Sequence, residues 1–234
     1  MKTSNKILLA LGIVPFIIIF IMLISLRNIL DKESVVINQG IDRSNYQTEN
    51  YDIGPFEEIV VKGIWEIVLT GGDQYRIELE VPPGSLKHTS VTRQGNMLLV
   101  KSERRFFSIL NFPKIEITVP SISRLDLEGQ TDVSISNLKL QQLDINLAGV
   151  SLIKGTEGTV KQLSFNGTGI VNADFTHMPT DNARFNFTGI YMITLKMNGG
   201  DLAGRLSGQG KMTTEGNIMS NSIVVDNPDF ITYK

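Results

Sequence analysis

The second half of the chain repeats itself about every 20 residues, and this repeat restricts the possible folds more than any other feature. Six nine-residue segments align with an apolar residue at the third position, and four of them carry glycine at the seventh. The segments are LDLEGQTDV from Leu125, LDINLAGVS from Leu143, LSFNGTGIV from Leu163, ARFNFTGIY from Ala183, GRLSGQGKM from Gly204 and IVVDNPDFI from Ile223. Successive segments begin 18, 20, 20, 21 and 19 residues apart.

Each repeat alternates apolar and polar residues on both sides of its glycine, which predicts a strand, a tight turn and a second strand. One such unit cannot bury its apolar face alone. Units stacked about 4.8 Å apart would pair their backbones and share one core, as in a β-solenoid. Six coils would span roughly 30 Å, and a meandering barrel is the alternative. The expected structural turn glycines are Gly129, Gly149, Gly167, Gly169, Gly189, Gly208 and Gly210.

Before the repeat, short apolar runs alternate with turn residues, which is typical of strands. The runs are Ile59–Val61, Ile64–Leu69, Tyr75–Val81, Met97–Val100 and Ile115–Val119. We therefore expect residues 55–234 to form one all-β head domain, with the repeats starting at residue 125.

The N-terminal residues differ sharply from the rest. An uncharged apolar run extends from Ile7 to Leu26, and a helix of these 20 residues would span roughly 30 Å, the hydrocarbon thickness of a bilayer. We expect residues 1–26 to form an uncleaved transmembrane helix. A secretory signal peptide is the alternative, but its apolar core is shorter and precedes a small-x-small cleavage site, whereas this run ends in ISLR.

The polar residues 27–54 are expected to form a linker between this anchor and the head domain. A short N-terminal tail before the anchor favours the orientation in which the C-terminal domain lies outside the cytoplasm. We therefore expect a protein held in a bacterial inner membrane, with its head in the periplasm or outside the cell.

Composition excludes several kinds of chemistry. The chain contains no cysteine, so disulfides, thiolate metal sites and cysteine nucleophiles are ruled out. Its two histidines, His88 and His177, are far apart in sequence and are interpreted as ordinary surface residues. The formal net charge of −2 gives no basic excess for nucleic-acid binding. We expect no catalytic, cofactor or metal site and no nucleic-acid partner.

Two rows of polar residues are the candidates for chemistry. If the second positions of the repeats stack, Asp126 and Asp144 lie about 5 Å apart, as an acidic pair in a carbohydrate-active enzyme or a calcium site would. A solvated outer face is the simpler interpretation of this row. The fourth positions would form a ladder of hydrogen-bonded side chains, which is interpreted as structural. These are Glu128, Asn146, Asn166, Asn186, Ser207 and Asp226.

The segment 101–114 places aromatic residues beside Arg104, Arg105 and Lys114. Such a cluster could contact a membrane or a partner. It could equally cap the open end of the solenoid, which is the preferred interpretation. Trp65, the single tryptophan, is expected in the core rather than stacked on a sugar.

The order and spacing of several motifs resemble those of the GIN-domain family of auto-transporter adhesin head domains. These motifs are FEEIVVKGIWEIVL from Phe56, Gly72-Asp73, IEITVP ending at Pro120, Leu125-x-Leu-x-Gly129, and the Gly-x-Gly turns at Gly167–Gly169 and Gly208–Gly210. The resemblance covers residues 56–234. It implies a right-handed, two-sheeted β-helix similar to pectin-lyase folds but without their catalytic residues. It also implies a role in adhesion, itself based on structural analogy.

The sequence thus favours a non-enzymatic, membrane-anchored envelope protein with an adhesin-like β-helical head. Its partners would be the membrane through residues 7–26, and glycans, host matrix or envelope proteins; a homo-oligomer stays open. The alternative is a carbohydrate-active enzyme, a polysaccharide lyase or hydrolase, on a β-helix scaffold.

Overall fold

Alternating apolar and polar residues form strands throughout the computed structural model, which describes residues 43–103, 106–107, 111–226 and 231–233. The strands are β1 (Gln47–Tyr51), β2 (Glu58–Gly71), β3 (Arg76–Val81), β4 (Thr89–Gln94), β5 (Met97–Ser102), β6 (Lys114–Val119), β7 (Arg124–Ser136), β8 (Leu138–Gly155), β9 (Gly158–Asn198), β10 (Asp201–Asn217), β11 (Ser220–Val225) and β12 (Ile231–Tyr233). Within the described ranges there is no α-helix, and a 3₁₀ turn lies at Leu86–His88. The domain is all-β, as predicted.

The long strands pair in parallel and follow one another in the order β2-β7-β8-β9-β10-β11. On the other side of β2, the second half of the strand pairs in parallel with β6, and β3 and β1 follow in antiparallel order. The first half of β2 also pairs with β5, which carries the antiparallel strand β4. Parallel pairing of consecutive long strands is what a stacked repeat requires, because each copy lies on the preceding one.

The core consists of the side chains that alternate inward along these strands. Strand β3 buries Ile77, Leu79 and Val81, and its outward residues are Arg76, Glu78 and Glu80. In the repeats, the rings of Phe165 and Phe185 lie 5.9 Å apart between centroids in the same core. One continuous apolar cluster runs from β2 to β10.

A column of glycines sets the register between the stacked strands. Gly63 of β2 pairs with Gly129 of β7, Gly129 with Gly149 of β8, and Gly149 with Gly169 of β9. Gly208 of β10 pairs with Gly189 of β9. The sequence alignment placed the first repeat two residues away from this register. It paired Leu127 with Ile145, whereas the structure pairs Leu127 with Leu147.

A shift of two residues also occurs near the C-terminal end. The alignment paired Gly210 with Gly189, whereas the structure pairs Gly208 with Gly189. A shift of two residues leaves the inward and outward sets unchanged, so apolar spacing cannot detect it. Close backbone contact between glycines can detect it. The structure also adds β2 as a copy of the stacked unit ahead of the predicted repeats.

The predicted linker 27–54 differs from the expectation over its described part. Strand β1 lies inside it and pairs with β3. Tyr51 and Ile53 pack against the core, and Arg43 forms ion pairs with Glu66 and Glu80. The C-terminal end of this polar segment therefore extends the sheet. The predicted anchor, residues 1–26, lies outside the described residues. Among those that are described, no helix has the length and apolar character needed to cross a membrane.

Candidate functional site

The glycine column crosses the stacked strands, and the outward side chains on either side of it line separate grooves. Gly169 has a φ of 132°, a conformation that L-residues with a side chain rarely adopt. A Cβ at this position would also overlap the carbonyl oxygen of Gly149 on the preceding strand. Glycine is therefore required here both by conformation and by contact.

The other expected turn glycines follow this geometry with one exception. Left-handed φ values occur at Gly129 (124°), Gly149 (144°), Gly167 (141°), Gly189 (148°) and Gly208 (108°). Gly210 is not among the glycines of positive φ. A Cβ at Gly210 would instead overlap the carbonyl oxygen of Tyr191 and crowd its ring, so the lack of a side chain makes room for the tyrosine.

An exposed apolar surface lies directly after the glycine column. One residue past each glycine, Val150, Ile170 and Ile190 are 46%, 45% and 52% exposed. Three residues past it, Leu152 and Met192 are 44% and 57% exposed. These five residues are called the apolar face below. Because adjacent apolar side chains on a folded surface usually mark an interaction site, this face is the candidate functional site.

The apolar face lies within two rows of residues that run across the stacked strands. The first row is Gln130, Val150, Ile170, Ile190 and Gln209, and the second is Asp132, Leu152, Asn172, Met192 and Lys211. Each row is polar at both ends, and its five residues, four steps apart from first to last, extend over about 19 Å. The next outward row along the strands is polar: Ser134, Lys154, Asp174, Thr194 and Thr213.

The face forms an open groove of about 710 Å³, a volume in the range of ligand and peptide sites. At its Asp132 end it continues into a second groove of about 260 Å³ that shares Val150 and Leu152. Ile64, Trp65 and Phe112 line this second groove. The apolar surface therefore reaches from the β10 end of the stack to β2.

Opposite charges mark the two ends of the second row. Asp132 lies at the β7 end, and burial against its surroundings raises the pKa of its carboxyl above the usual range. Lys211 is exposed at the β10 end. The surface thus has an apolar centre between one acidic and one basic end.

A polar ladder lies on the other side of the glycine column. Asn146 Nδ2 donates to Asp126 Oδ1 at 2.7 Å, and Asn166 Nδ2 donates to Asn146 Oδ1 at 3.3 Å. The Asp126 carboxylate also pairs with Arg124 at 2.9 Å, and Lys62 pairs with Glu128 nearby. Lys62, Glu128 and the three residues of the ladder line a groove of about 260 Å³. The hydrogen bonds run from strand to strand, which is a structural role, but the ladder includes Asp126 in place of the predicted Glu128, which lies opposite Ala148.

The two residues of the predicted acidic pair, Asp126 and Asp144, do not lie opposite each other in this register. Asp126 lies opposite Asn146, and Asp144 lies opposite Arg124. Asp144 accepts a hydrogen bond from Gln142 at 2.7 Å. The two carboxylates therefore occupy different rows, each with its own hydrogen-bond partner, and are not the directly opposed neighbours about 5 Å apart that the sequence alignment predicted. The described residues contain no group of three or more acidic or histidine side chains that could hold a metal ion.

The remaining candidates from the sequence are Trp65 and the segment 101–114, and their described aromatic residues pack against other parts of the domain. Trp65 is 1% exposed and its Nε1 donates to the carbonyl of Lys62 at 3.0 Å, as expected of a core residue. In the segment 101–114, Phe107 is buried and Phe106 stacks on His88 with ring centroids 3.3 Å apart. Arg104, Arg105, Ile109 and Leu110 lie outside the described residues, so the capping role of this segment stays a prediction.

Sequence reasoning missed the apolar face. The available signal was the residue type one and three places after each glycine, where Val150, Ile170, Ile190, Leu152 and Met192 replace the polar residues that an outward position predicts. Alternation along the strands places these five positions outward in either register. The apolar residue types did not by themselves indicate a surface, because an apolar residue beside a turn glycine can also be assigned to the core.

The sequence model of the family described as "Putative auto-transporter adhesin, head GIN domain" matches residues 55–227. A crystal structure of a putative adhesin from Bacteroides fragilis is 19% identical, covers 81% of this chain and 96% of its own, and has a TM-score of 0.62. This similarity shows a shared fold. No curated protein has a significant match to the sequence.

Two further crystal structures are more distant. A putative lipid binding protein from Parabacteroides distasonis is 14% identical, with coverage of 81% and 97% and a TM-score of 0.48. A putative adhesin from Parabacteroides merdae is 10% identical, with coverage of 81% and 96% and a TM-score of 0.47.

Proposed function

This chain belongs to the GIN-domain family of auto-transporter adhesin heads, and we propose that it is a non-enzymatic, adhesin-like envelope protein that binds a protein partner through the apolar face. Family membership supports the adhesin-like role. The observation that carries the proposed contact surface is the set of five apolar side chains, each 44–57% exposed, on one face of a folded domain.

A protein partner suits this surface better than a small polar ligand. The groove is long, open and mainly apolar. Its exposed polar side chains are Asn172 at the centre and Gln209 and Lys211 at one end, while Ser151 and Tyr191 are buried in its lining. An apolar centre with a polar rim is the usual anatomy of a protein interface. The side chains stand on a rigid parallel sheet, so few of them lose freedom when a partner binds.

The proposal extends the observed parallel stack to a right-handed, two-sheeted β-helix. The 20-residue step between paired residues, as from Gly129 to Gly149 and on to Gly169, supports it. In that fold, successive coils present the same strand positions in line, which would align the apolar face along the axis. Residues 1–26 would anchor the protein in the inner membrane, with the head in the periplasm or outside the cell.

A binding assay with the full chain tests the function. Bacteria that express it are applied to immobilised collagen, fibronectin, a glycan array and envelope fractions, alongside cells that carry Ile170→Ser and Ile190→Ser together. We expect the wild type to bind at least one of these probes and the double variant to lose roughly ten-fold or more in binding, since both changes remove apolar contact area.

Thr168→Ala and Thr188→Ala together provide the matched control, because both residues are exposed on the same coils but precede the glycine column. Binding equal to that of non-expressing cells on every probe would count against the proposal, as would equal loss in both double variants. The enzymatic alternative is tested by an assay for turnover of uronate-containing polysaccharides, in which the wild type is compared with Asp144→Asn. Turnover abolished by that change would replace the proposal.

A further inference from the structure

The two rows of the apolar face are symmetric in chemistry about their central step. In the first row, Gln130 and Gln209 flank three β-branched apolar residues centred on Ile170. In the second row, Leu152 and Met192 flank Asn172 at equal distances. Thus, from either end, each row has nearly the same order of polar and apolar groups.

Charge breaks this symmetry in one respect. The second row begins with an acid, Asp132, and ends with a base, Lys211. A row that carries Leu152 and Met192 on either side of its centre and opposite charges at its ends complements a second copy of itself when the two copies run antiparallel. Isologous two-fold interfaces require this kind of self-complementarity.

We propose that the apolar face binds the same face of a second copy of this chain, with the two stacks of strands antiparallel. The two-fold axis would lie along the strand direction, through the coil that carries Ile170 and Asn172. This inference rests on the proposed function, since it names the protein partner of the same surface.

The arrangement matches each position with a suitable partner. Ile170 would contact Ile170 of the other copy and Val150 would contact Ile190, while Leu152 would contact Met192. Asp132 of each copy would meet Lys211 of the other, which forms two ion pairs per dimer. Each row faces the same row of the other copy only when the two-fold axis lies along the strands. If the two stacks were parallel, the second row would face the first row, Asp132 would lie beside a glutamine, and both ion pairs would be lost.

Neighbouring charges are compatible with this arrangement. Glu66, which lies beside Asp132 on the preceding strand, is neutralised within its own chain by Arg43 at 2.6 Å. Asp174 follows Asn172 along its strand, and its carboxylate accepts hydrogen bonds from the backbone and hydroxyl of Thr176. Burial raises the pKa of the Asp174 carboxyl, but the two hydrogen bonds from Thr176, together with the nearby His177 and Lys154, lower it below its usual value. Asp174 can therefore stay solvated at the rim.

The size of the face indicates a weak association. Two rows of five residues, with about 4.8 Å between neighbouring residues, form a smaller surface than the standard protein interface of about 800 Å² per partner. We expect a dissociation constant that is roughly micromolar or weaker. Attachment of both copies to one membrane would raise their effective concentration and favour the dimer.

The absence of cysteine makes site-specific cross-linking of the full chain possible. A chain with Asn172→Cys, in native membranes or detergent, is treated with a short bis-maleimide reagent. We expect a covalent dimer, because position 172 would lie on the two-fold axis. Thr168→Cys is the matched control, exposed in the same coil but on the other side of Gly169. Equal dimer yields at the two positions would overturn the proposal.

Mixing chains determines the orientation. Asp132→Cys and Lys211→Cys should each give little dimer alone, because like positions would be about 19 Å apart along the stack, and should cross-link when mixed. Self-cross-linking of the Asp132→Cys chain without mixed product would overturn the antiparallel arrangement.

Charge reversal supplies an independent readout in the Asn172→Cys chain. Asp132→Lys or Lys211→Asp alone should lower the dimer yield roughly ten-fold, since like charges would then face each other. Mixing these two single variants should restore the yield, because every 132–211 contact is then between opposite charges. Unchanged yields in the single variants, or no recovery on mixing, would overturn the proposal.

These outcomes separate the inference from the proposed function. No cross-link at position 172, together with cell binding that depends on Ile170 and Ile190, would leave the adhesin-like role standing and refute the second copy as partner. A specific cross-link without binding to any probe would support the dimer and refute that role. Protection of the Asn172→Cys thiol from a water-soluble maleimide in phosphatidylglycerol vesicles but not in phosphatidylcholine vesicles, with no covalent dimer in either, would identify a lipid surface as the occupant and overturn the dimer.

Discussion

The side chain of Asn146 donates a 2.7 Å hydrogen bond from Nδ2 to Oδ1 of Asp126, its direct neighbour on the preceding strand. The same asparagine accepts a hydrogen bond from Asn166 on the following strand. One amide thus links three stacked strands through its side chain, in addition to their backbone ladders. Replacing it removes a donor for a carboxylate and an acceptor for an amide at once.

Asn146→Leu should therefore reduce the free energy of unfolding by about 1–3 kcal/mol, because partly buried polar groups on both neighbouring strands lose a partner. Urea unfolding of the wild type and variant measures the difference. Asn172→Ser, at an exposed position with no hydrogen bond to a neighbouring strand among the described contacts, should change the stability little. A loss of stability in Asn172→Ser as large as in Asn146→Leu would contradict the structural role of the ladder.

Gly169→Val should be more damaging. The valine would adopt a φ near 132° and its Cβ would overlap the carbonyl oxygen of Gly149, so strain and overpacking add. We expect a loss of about 2–4 kcal/mol in the free energy of unfolding, measured in urea against the Asn172→Ser control. Small and equal effects at the two positions would show that the glycine column is not the point of closest contact between strands.

Tyr51 should make the stability sensitive to alkaline pH. Burial, followed by the hydrogen bond from its hydroxyl to Glu49 Oε2 at 3.1 Å, raises the pKa of Tyr51 to about 12 from 10.0. Since the folded state holds the phenol proton more tightly than the unfolded state does, protonated Tyr51 contributes to the free energy of unfolding. This contribution is complete below pH 10 and is lost as the pH rises towards 12.

Difference titration of tyrosinate absorbance between the wild type and Tyr51→Phe should show one phenol that ionises near pH 12 in the folded protein. Glu49→Gln should move this ionisation to lower pH, because the negative charge next to the phenol is gone. Ionisation of Tyr51 near pH 10 in the wild type would refute the effect of burial.

The predicted membrane anchor can be tested by topology. In spheroplasts, a protease added from the periplasmic side should reach residues 27–234, and the chain should stay in the membrane fraction after a carbonate wash. An N-terminal sequence that begins near residue 27 in a released form would show that residues 1–26 are a signal peptide instead.

Much of the fold follows from local sequence patterns. The alternation of apolar and polar residues in β3 and β6 predicts strands with one buried face, and the structure confirms that both segments are strands of this kind. The repeat predicts that copies lie one on another, and parallel pairing of β7, β8, β9 and β10 agrees with that expectation. The core position of Trp65 also follows from its strand.

Three features depended on tertiary contacts: the pairing of Gly129 with Gly149, the separation of Asp126 from Asp144, and the apolar face around Ile170. Strand periodicity is two, so a register shift of two residues keeps every apolar side chain inward and leaves the pattern unchanged. Only the backbone contact at the glycine column distinguishes the two registers. The sequence by itself therefore determined which residues form strands and which side chains turn inward. The stacked structure decided which residues are neighbours on the surface, and with them the candidate site.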